Sequence, residues 1–504
     1  MRPLSPQWMV MTCGFILLTL LFPMLAAGQQ VVDLTWNAST SQVAGYNVYR
    51  SEVSGGPFTK INSSLDVNTN YTDSSVQPGY TYYYVTTAVN LEGQESVYSN
   101  QAQATIPTGG PGSEVGVYSF NGSGGGPSLP YAGLIVDNSG HLYGTTEFGG
   151  TYNQGTVFEV TANPDGNWTE SVLYSFTGGQ DGGQPSGGLM LDASGTLYGT
   201  TTLGGSQNCN LGCGAIFTLT PTSGGWTESL IYTFTGGSDG RAPYAGLVSD
   251  AQGTLYGTTL MGGNIGAGCS SGCGTVFSLS HSTGAWKENV LYAFAGGNDG
   301  ESPYAGLTFD AAGNLDGTTY AGGTYGNGTV FRLTPDSSGN WTESVLYTFT
   351  GRRDGKHPLG GVVIDKAGNF YGTASKGGAQ GYGVVFKLAS TSHGAWQERV
   401  LHTFGNAPAA TPVAGLVMDG SGSLYGTTML GADLTSCGGG CGTLFKLSPA
   451  SGGGWTFAVL HLFGRNMDGY HPSGRLTLDL AGNLYGTTQA GGADGAGLVF
   501  EIVP

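Results

Sequence analysis

LYGTT, Leu142 to Thr146, is the stretch on which the reading of this chain turns. It returns at Leu197, Leu255, Leu424 and Leu484, and LDGTT from Leu315 and FYGTA from Phe370 are near copies. The seven copies are spaced by about 55 to 60 residues. Leu and Tyr alternate with smaller residues, so each copy is a short strand with Leu on one layer and Tyr on the other. Gly in the middle of a strand marks a place where something large comes close, and here that is read as a side chain from the next repeat. D-x-x-G precedes every copy, at Asp137, Asp192, Asp250, Asp310, Asp365, Asp419 and Asp479. One Asp before a Gly turn caps a hairpin; calcium needs several oxygens close together.

Working outward, one full repeat reads GGLMLDASGTLYGTT, then GG, CGAIFTL and GGWTESLIYTF. These are four short apolar strands with tight turns, too short and too rich in β-branched and aromatic residues for helices. Trp168, Trp226, Trp286, Trp341, Trp396 and Trp455 open the fourth strand and read as packing residues. A four-stranded unit repeated seven times predicts a seven-bladed β-propeller over residues 114–504. The seventh repeat stops after GLVFEIV, and SEVGVYSF, Ser113 to Phe120, has the pattern of the missing strand. The N-terminal segment is therefore expected to supply the last blade's outer strand and remove an exposed edge.

The 504 residues include 93 Gly and 21 Pro, but 11% aromatic residues argue for a folded chain. Only 10% of residues are charged, so the surface is covered by Ser, Thr, Asn, Gln and Gly. A net charge of −17 without any basic run excludes nucleic acid as a partner. Residues 1–28 read as an export signal: Arg2, an apolar run from about Phe15 to Leu25, then Leu25-Ala26-Ala27-Gly28. That run is short for a spanning helix. No second apolar segment is present, and Val503-Pro504 carries no anchor, so no transmembrane segment is expected after cleavage. The predicted location is secreted or extracellular, with the periplasm the other exported compartment. Export permits disulfides. Cys209 and Cys213, Cys269 and Cys273, and Cys437 and Cys441 stand as three local pairs, each just before a GTVF-like strand. No His accompanies them and they lie in different repeats, so disulfides are expected rather than a four-ligand metal site.

Ahead of the repeats, residues 31–107 alternate with period two: VDLTW, GYNVYRS, VQPGYTYYYVTTAV and EGQESVYS. This segment resembles a fibronectin type III domain. Trp36 matches that family's core Trp, and Tyr82, after Val76-x-Pro78, its tyrosine corner. The resemblance implies a seven-stranded β-sandwich serving as a spacer or adhesion module. Residues 108–113, within PTGGPGS, read as a linker. The repeats themselves, through LYGTT, GG and GTVF, resemble the Gloeo-Verruco (GloVer) tandem repeat of exported bacterial proteins. That resemblance implies fold and location; it carries no catalytic residue.

Strand direction alternates across a blade, so the loop into the first strand and the loop between the second and third share a face. Positions that differ between repeats mark recognition. After the repeated Pro come Tyr131, Ser186, Tyr244, Tyr304, Leu359, Val413 and Ser473, expected to ring a central channel. Aromatic faces stack on sugars and the phenol adds a hydrogen bond. The same loops hold Asp239 and Asp299, and Arg352, Arg353, Lys356 and His357, suited to a carboxylate or sulfate. No nucleophile motif, metal motif or phosphate loop is present, and no cofactor is implied. Asp316, where the other repeats have Tyr, reads as drift at a strand position. The sequence thus points to a secreted, non-catalytic binding or adhesion protein for a polysaccharide or cell-surface polymer. Two readings stay open beside it: a polysaccharide lyase or hydrolase using the Asp and basic residues of the third to fifth repeats, Asp239 and Asp299 among them, and an extracellular scaffold for a protein partner.

Overall fold

The computed structural model describes residues 32–504 apart from 74, 77–79, 106–113, 123–124, 164–166, 267, 283, 406–408, 432–436, 438, 451 and 465–467. The expected signal segment, the linker and Pro78 lie outside the described residues. The described chain is all-β, built of small antiparallel sheets with no helix. It falls into two compact units, the described residues of 1–115 with 480–483 and 502–504 in the first, and those of 116–479 with 484–501 in the second.

The first unit has a two-stranded sheet, Val32–Thr35 with Asn70–Asp73, and a four-stranded sheet. In the latter the order is Thr59–Lys60, Gly45–Ser51, Thr81–Val89 and Ala102–Thr105. That gives six strands among the described residues, where the resemblance implied seven. EGQESVYS forms the bridge Val89–Glu95 and backbone bonds from Ser96 to Ala88 and from Ser99 to Thr86, and the next strand comes at Ala102–Thr105. Trp36 and Tyr82 are buried, Trp36 edge-on to Tyr46 at 5.5 Å. Arg50 reaches Asp73 at 2.7 Å.

The second unit has seven repeated sheets. In sheet one, Ile135–Val136, Leu142–Thr146, Thr156–Ala162 and Trp168–Ser175 run from inner to outer strand. Sheets two to six repeat that order, with their second strands at Leu197–Thr201, Leu255–Thr259, Leu315–Thr319, Phe370–Ala374 and Leu424–Thr428. Sheet seven places Leu484–Ala490 beside Leu498–Ile502, and its outer strand is Glu114–Ser119, from before sheet one.

The central glycine of LYGTT makes room within its own sheet, not for the neighbouring repeat as expected. A Cβ on Gly144 would lie 2.5 Å from Cζ of Phe158, its partner across the strand pair, and 2.8 Å from Leu134. Gly257 faces Phe277 in the same way at 2.6 Å. The tyrosine reaches onward instead. Tyr143 packs with Leu189, Leu197 and Phe217 of sheet two, and Tyr485 with Leu134 and Leu142 of sheet one. Its hydroxyl donates back to the turn Asp, as Tyr256 does to Asp250 at 3.0 Å and Tyr371 to Asp365 at 2.9 Å. The outer-strand tryptophans meet these rings, Trp226 on Tyr143 at 6.2 Å and Trp455 on Tyr371 at 5.8 Å.

Asp316 is not idle drift. Arg332, its cross-strand partner, grips it at 2.8 and 3.0 Å and also holds Asp310 at 2.7 Å. The guanidinium lies over Phe370 and Trp396 of sheet five, at 5.5 and 5.7 Å. An ion triad thus covers the next sheet where the other repeats use a tyrosine.

Successive sheets share one joint. The residue before each repeated proline has a positive φ: Leu129, Gln184, Ala242, Ser302, His357, Thr411 and His471, between 52 and 60°. Non-glycine residues seldom adopt this conformation, and here it is fixed by hydrogen bonding. The amide of Ala242 donates to the carbonyl of Cys213 in the preceding sheet at 2.8 Å, and that of His357 to Asn327 at 2.8 Å. The proline then packs on a glycine of that sheet: a Cβ on Gly383 would lie 2.7 Å from Pro412. Sheet seven is joined to sheet one in the same way, with Leu129 donating to Ala496 at 3.1 Å and Pro130 2.7 Å from a Cβ on Gly497. The three expected disulfides, Cys209–Cys213, Cys269–Cys273 and Cys437–Cys441, are formed, and each staples a joint loop.

A row of carboxyls lies between outer strands. Burial, and then the charge of the preceding sheet's turn Asp, raises Glu228, Glu288, Glu343 and Glu398 to about 7. The Asp neighbours are Asp181, Asp239, Asp299 and Asp354 respectively. The folded state therefore keeps protons that the unfolded chain releases near its ordinary carboxylate value. That stability is fully present below about pH 4.5 and is lost as pH rises through about 7. We expect stability, read from the thermal midpoint, to fall between pH 5 and 8 by on the order of 1 kcal/mol per site once partial exposure is discounted. Glu288→Gln with Glu343→Gln should flatten that slope; an unchanged slope would refute the assignment.

Candidate functional site

The inner strands of all seven sheets enclose one cavity of about 620 Å³. The seven positions that follow the repeated proline all line it: Tyr131, Ser186, Tyr244, Tyr304, Leu359, Val413 and Ser473. Apart from Arg475, Thr308, Thr477 and Met418, the rest of its wall is Gly, Ala and aliphatic residues, because neighbouring inner strands run close together. A Cβ on Gly246 would lie 2.5 Å from the carbonyl oxygen of Gly188.

The tyrosines form one continuous run. Tyr131 meets Tyr244 edge-to-face at 5.5 Å, Tyr244 meets Tyr304 at 5.3 Å, and Tyr304 meets Tyr320 at 5.4 Å. Tyr131 and Tyr244 come from sheets one and three; the small Ser186 of sheet two lies between them in the repeat. His357 stacks on Tyr320 at 4.4 Å, and its Nδ1 lies 3.0 Å from that residue's carbonyl oxygen. Burial and the adjacent Tyr131 hydroxyl raise the Tyr244 phenol. Lys356, next to His357 in the chain, lines a separate groove of about 480 Å³ with Arg352, Arg353 and Lys376. The two lysines are brought together by the bridge pairing residues 356 and 376. Among the described residues none of these four cations has an ion pair.

Asp239 and Asp299 do not line the cavity. Asp239 is used up in its own turn, accepting from Tyr232 at 3.1 Å, the Thr235 amide at 2.7 Å and the Thr235 hydroxyl at 2.6 Å. Asp299 accepts from the amide of Ala295 at 2.6 Å. Alanine there lacks the hydroxyl, so one Asp299 oxygen is buried without a partner, and burial raises the carboxyl. Four residues of interest escaped the sequence reading: Tyr320, Lys376, Glu147 and Arg475. Tyr320 and Glu147 hold the same repeat position, directly after the second strand. The half-buried Glu147 carboxyl is raised by burial and lies close enough to Tyr244 to act on its phenol. Among the described residues no group of His, Cys, Asp and Glu could hold a metal ion.

The model of the Gloeobacter/Verrucomicrobia repeat matches residues 70–324 and 308–504, well over half of the chain. The chain belongs to the Gloeobacter/Verrucomicrobia repeat family. Other likenesses lie beside that match. The Gloeobacter/Verrucomicrobia repeat chain is 44% identical over 78 residues to an amylopullulanase of Thermoanaerobacter thermohydrosulfuricus, covering 16% of this chain and 5% of that protein. It therefore spans only a small fraction of the curated relative's length. A fibronectin type III-like protein of Clostridium thermocellum is 40% identical, covering 18% of this chain and 88% of its own, with a TM-score of 0.15. A rhamnogalacturonan lyase is 14% identical, covering 95% and 88%, with a TM-score of 0.38. The family match and the three disulfides make this an extracellular-type repeat protein. Among the described residues no helix is long and apolar enough to cross a membrane.

Proposed function

We propose that the seven sheets are the blades of a β-propeller behind an N-terminal fibronectin type III-like spacer, and that the chain is a secreted, non-catalytic protein whose cavity face binds a glycan. The aromatic run Tyr131–Tyr244–Tyr304–Tyr320, with His357 stacked on its end and the cationic groove of the neighbouring Lys356, carries this reading. Half-buried phenol rings offer apolar faces to sugar rings and a hydroxyl at their edge. Unpaired Arg and Lys beside them suit the carboxylates or sulfates of an acidic polymer. The stretch shared with proteins named amylopullulanase supports a carbohydrate setting.

The protein from Gln29 onward should be retained by a uronate-containing or sulfated polysaccharide. Tyr244→Ala with Tyr304→Ala should weaken retention at least tenfold, about 1.4 kcal/mol, which two lost stacking contacts supply. Unchanged retention would remove the aromatic run from the reading. A polysaccharide-active enzyme is the second reading, and Glu147 favours it: a raised carboxyl beside a tyrosine is the pairing that proton transfer to a sugar needs. It requires new chain ends that Glu147→Gln abolishes.

A further inference from the structure

The cavity wall carries a single charged side chain, Arg475. At its repeat position the other six inner strands have glycine: Gly133, Gly188, Gly246, Gly306, Gly361 and Gly415. The protein packed around Arg475 lowers its guanidinium below the usual arginine value. Its surface is nevertheless open, because the side chain stands in the cavity. Its Cδ is 3.8 Å from where a Cβ on Gly415 would be, so the glycine of sheet six gives it room.

Nε of Arg475 donates to the carbonyl oxygen of Leu416 at 3.1 Å, and among the described residues no carboxylate faces the guanidinium. Two half-buried arginines elsewhere are matched by carboxylates: Arg50 by Asp73 at 2.7 Å, and Arg332 by Asp310 and Asp316 at 2.7 and 2.8 Å. The chain has 33 Asp and Glu for 16 Lys and Arg, so a cation left without a carboxylate inside the protein is not a shortage of acids. A guanidinium standing in the cavity presents its terminal N–H groups as a planar fork, the geometry that receives a carboxylate in two hydrogen bonds. The cavity volume lies within the roughly 300–1,000 Å³ of small-molecule sites.

We propose that the cavity is a binding site for a carboxylate group, docked on Arg475. The uncharged part of the ligand lies toward Tyr131, Tyr244 and Tyr304. The carboxylate comes either from a free sugar acid or from the uronate end of a glycan; only the second source rests on the glycan reading above.

Titration of the protein from Gln29 onward with D-galacturonate, D-galactose and trigalacturonate separates these. Galacturonate should bind and raise the thermal midpoint, and galactose should bind at least tenfold more weakly. Arg475→Gly, which restores the residue of the other six sheets, should cost at least tenfold in galacturonate affinity. Arg475→Lys should retain part of it. Trigalacturonate binding that also needs Arg475 assigns the chain end, and binding of galacturonate alone assigns the free acid. Equal galacturonate binding by Arg475→Gly, with its cooperative unfolding intact, overturns the proposal. So does no galacturonate binding by the unsubstituted protein, even where polymer retention depends on Tyr244 and Tyr304. Conversely, Arg475-dependent binding with polymer retention indifferent to the tyrosines leaves this site standing and sinks the glycan face.

Discussion

Gly257→Ala should lower the stability of the protein by about 2–3 kcal/mol, although alanine is ordinarily better than glycine in a strand by up to about 1 kcal/mol. The added methyl would meet Phe277 Cζ at 2.6 Å and Leu247 Cδ2 at 2.9 Å, both in its own sheet. Phe277 is fully buried and packs edge-to-face on Phe234 at 5.2 Å, so its ring has no free direction in which to move. The clash therefore outweighs the backbone gain. Phe277→Leu should cost several kcal/mol in the parent and much less beside Gly257→Ala. Denaturant midpoints of the four proteins give this coupling directly. A neutral or stabilising Gly257→Ala would mean that the sheet absorbs the methyl and that the glycine serves some other purpose.

Arg332→Ala should cost about 3–5 kcal/mol, the usual loss when one partner of a buried ion pair is removed. It leaves Asp316, with no exposed surface, and Asp310 facing each other without a cation. Burial already raises the Asp316 carboxyl and Arg332 opposes that rise, so removing the arginine drives Asp316 toward its protonated form. Asp316→Tyr with Arg332→Ser should recover most of the loss by giving sheet four the phenol-to-carboxylate bond seen between Tyr256 and Asp250. The check is a denaturation series on the two single variants and the pair. A loss under 1 kcal/mol for Arg332→Ala would place the triad with ordinary surface ion pairs.

These two sites also mark where the sequence could and could not be read. Seven copies of LYGTT, the Trp-led strand and the stray strand at SEVGVYSF were visible because strand periodicity and turn chemistry are local. So were the cavity positions, because each follows a proline at a fixed distance. The glycine's true neighbour was not, since a gap in a side-chain pattern does not say which strand fills it. Asp316 and Arg332 look unrelated in the sequence, being 16 residues apart, and become partners only through register. Lys376 joins the cationic groove through its bridge with Lys356, across loops of unequal length. Arg475 was legible in principle, as the one break in a column of glycines, but only after the inner strands had been aligned on a common cavity.

The pairing of Glu114–Ser119 with Leu498–Ile502 has a kinetic consequence. Most contacts within a sheet join residues a few tens of positions apart and can form as the chain emerges. This one spans nearly the whole repeat array, and contacts of such separation form slowly because a long loop must close first. Tyr131 and Arg475 stand on either side of that seam. Ligand recognition at the cavity should therefore appear only with the final, slow phase of refolding, well after most strands have acquired their pairing.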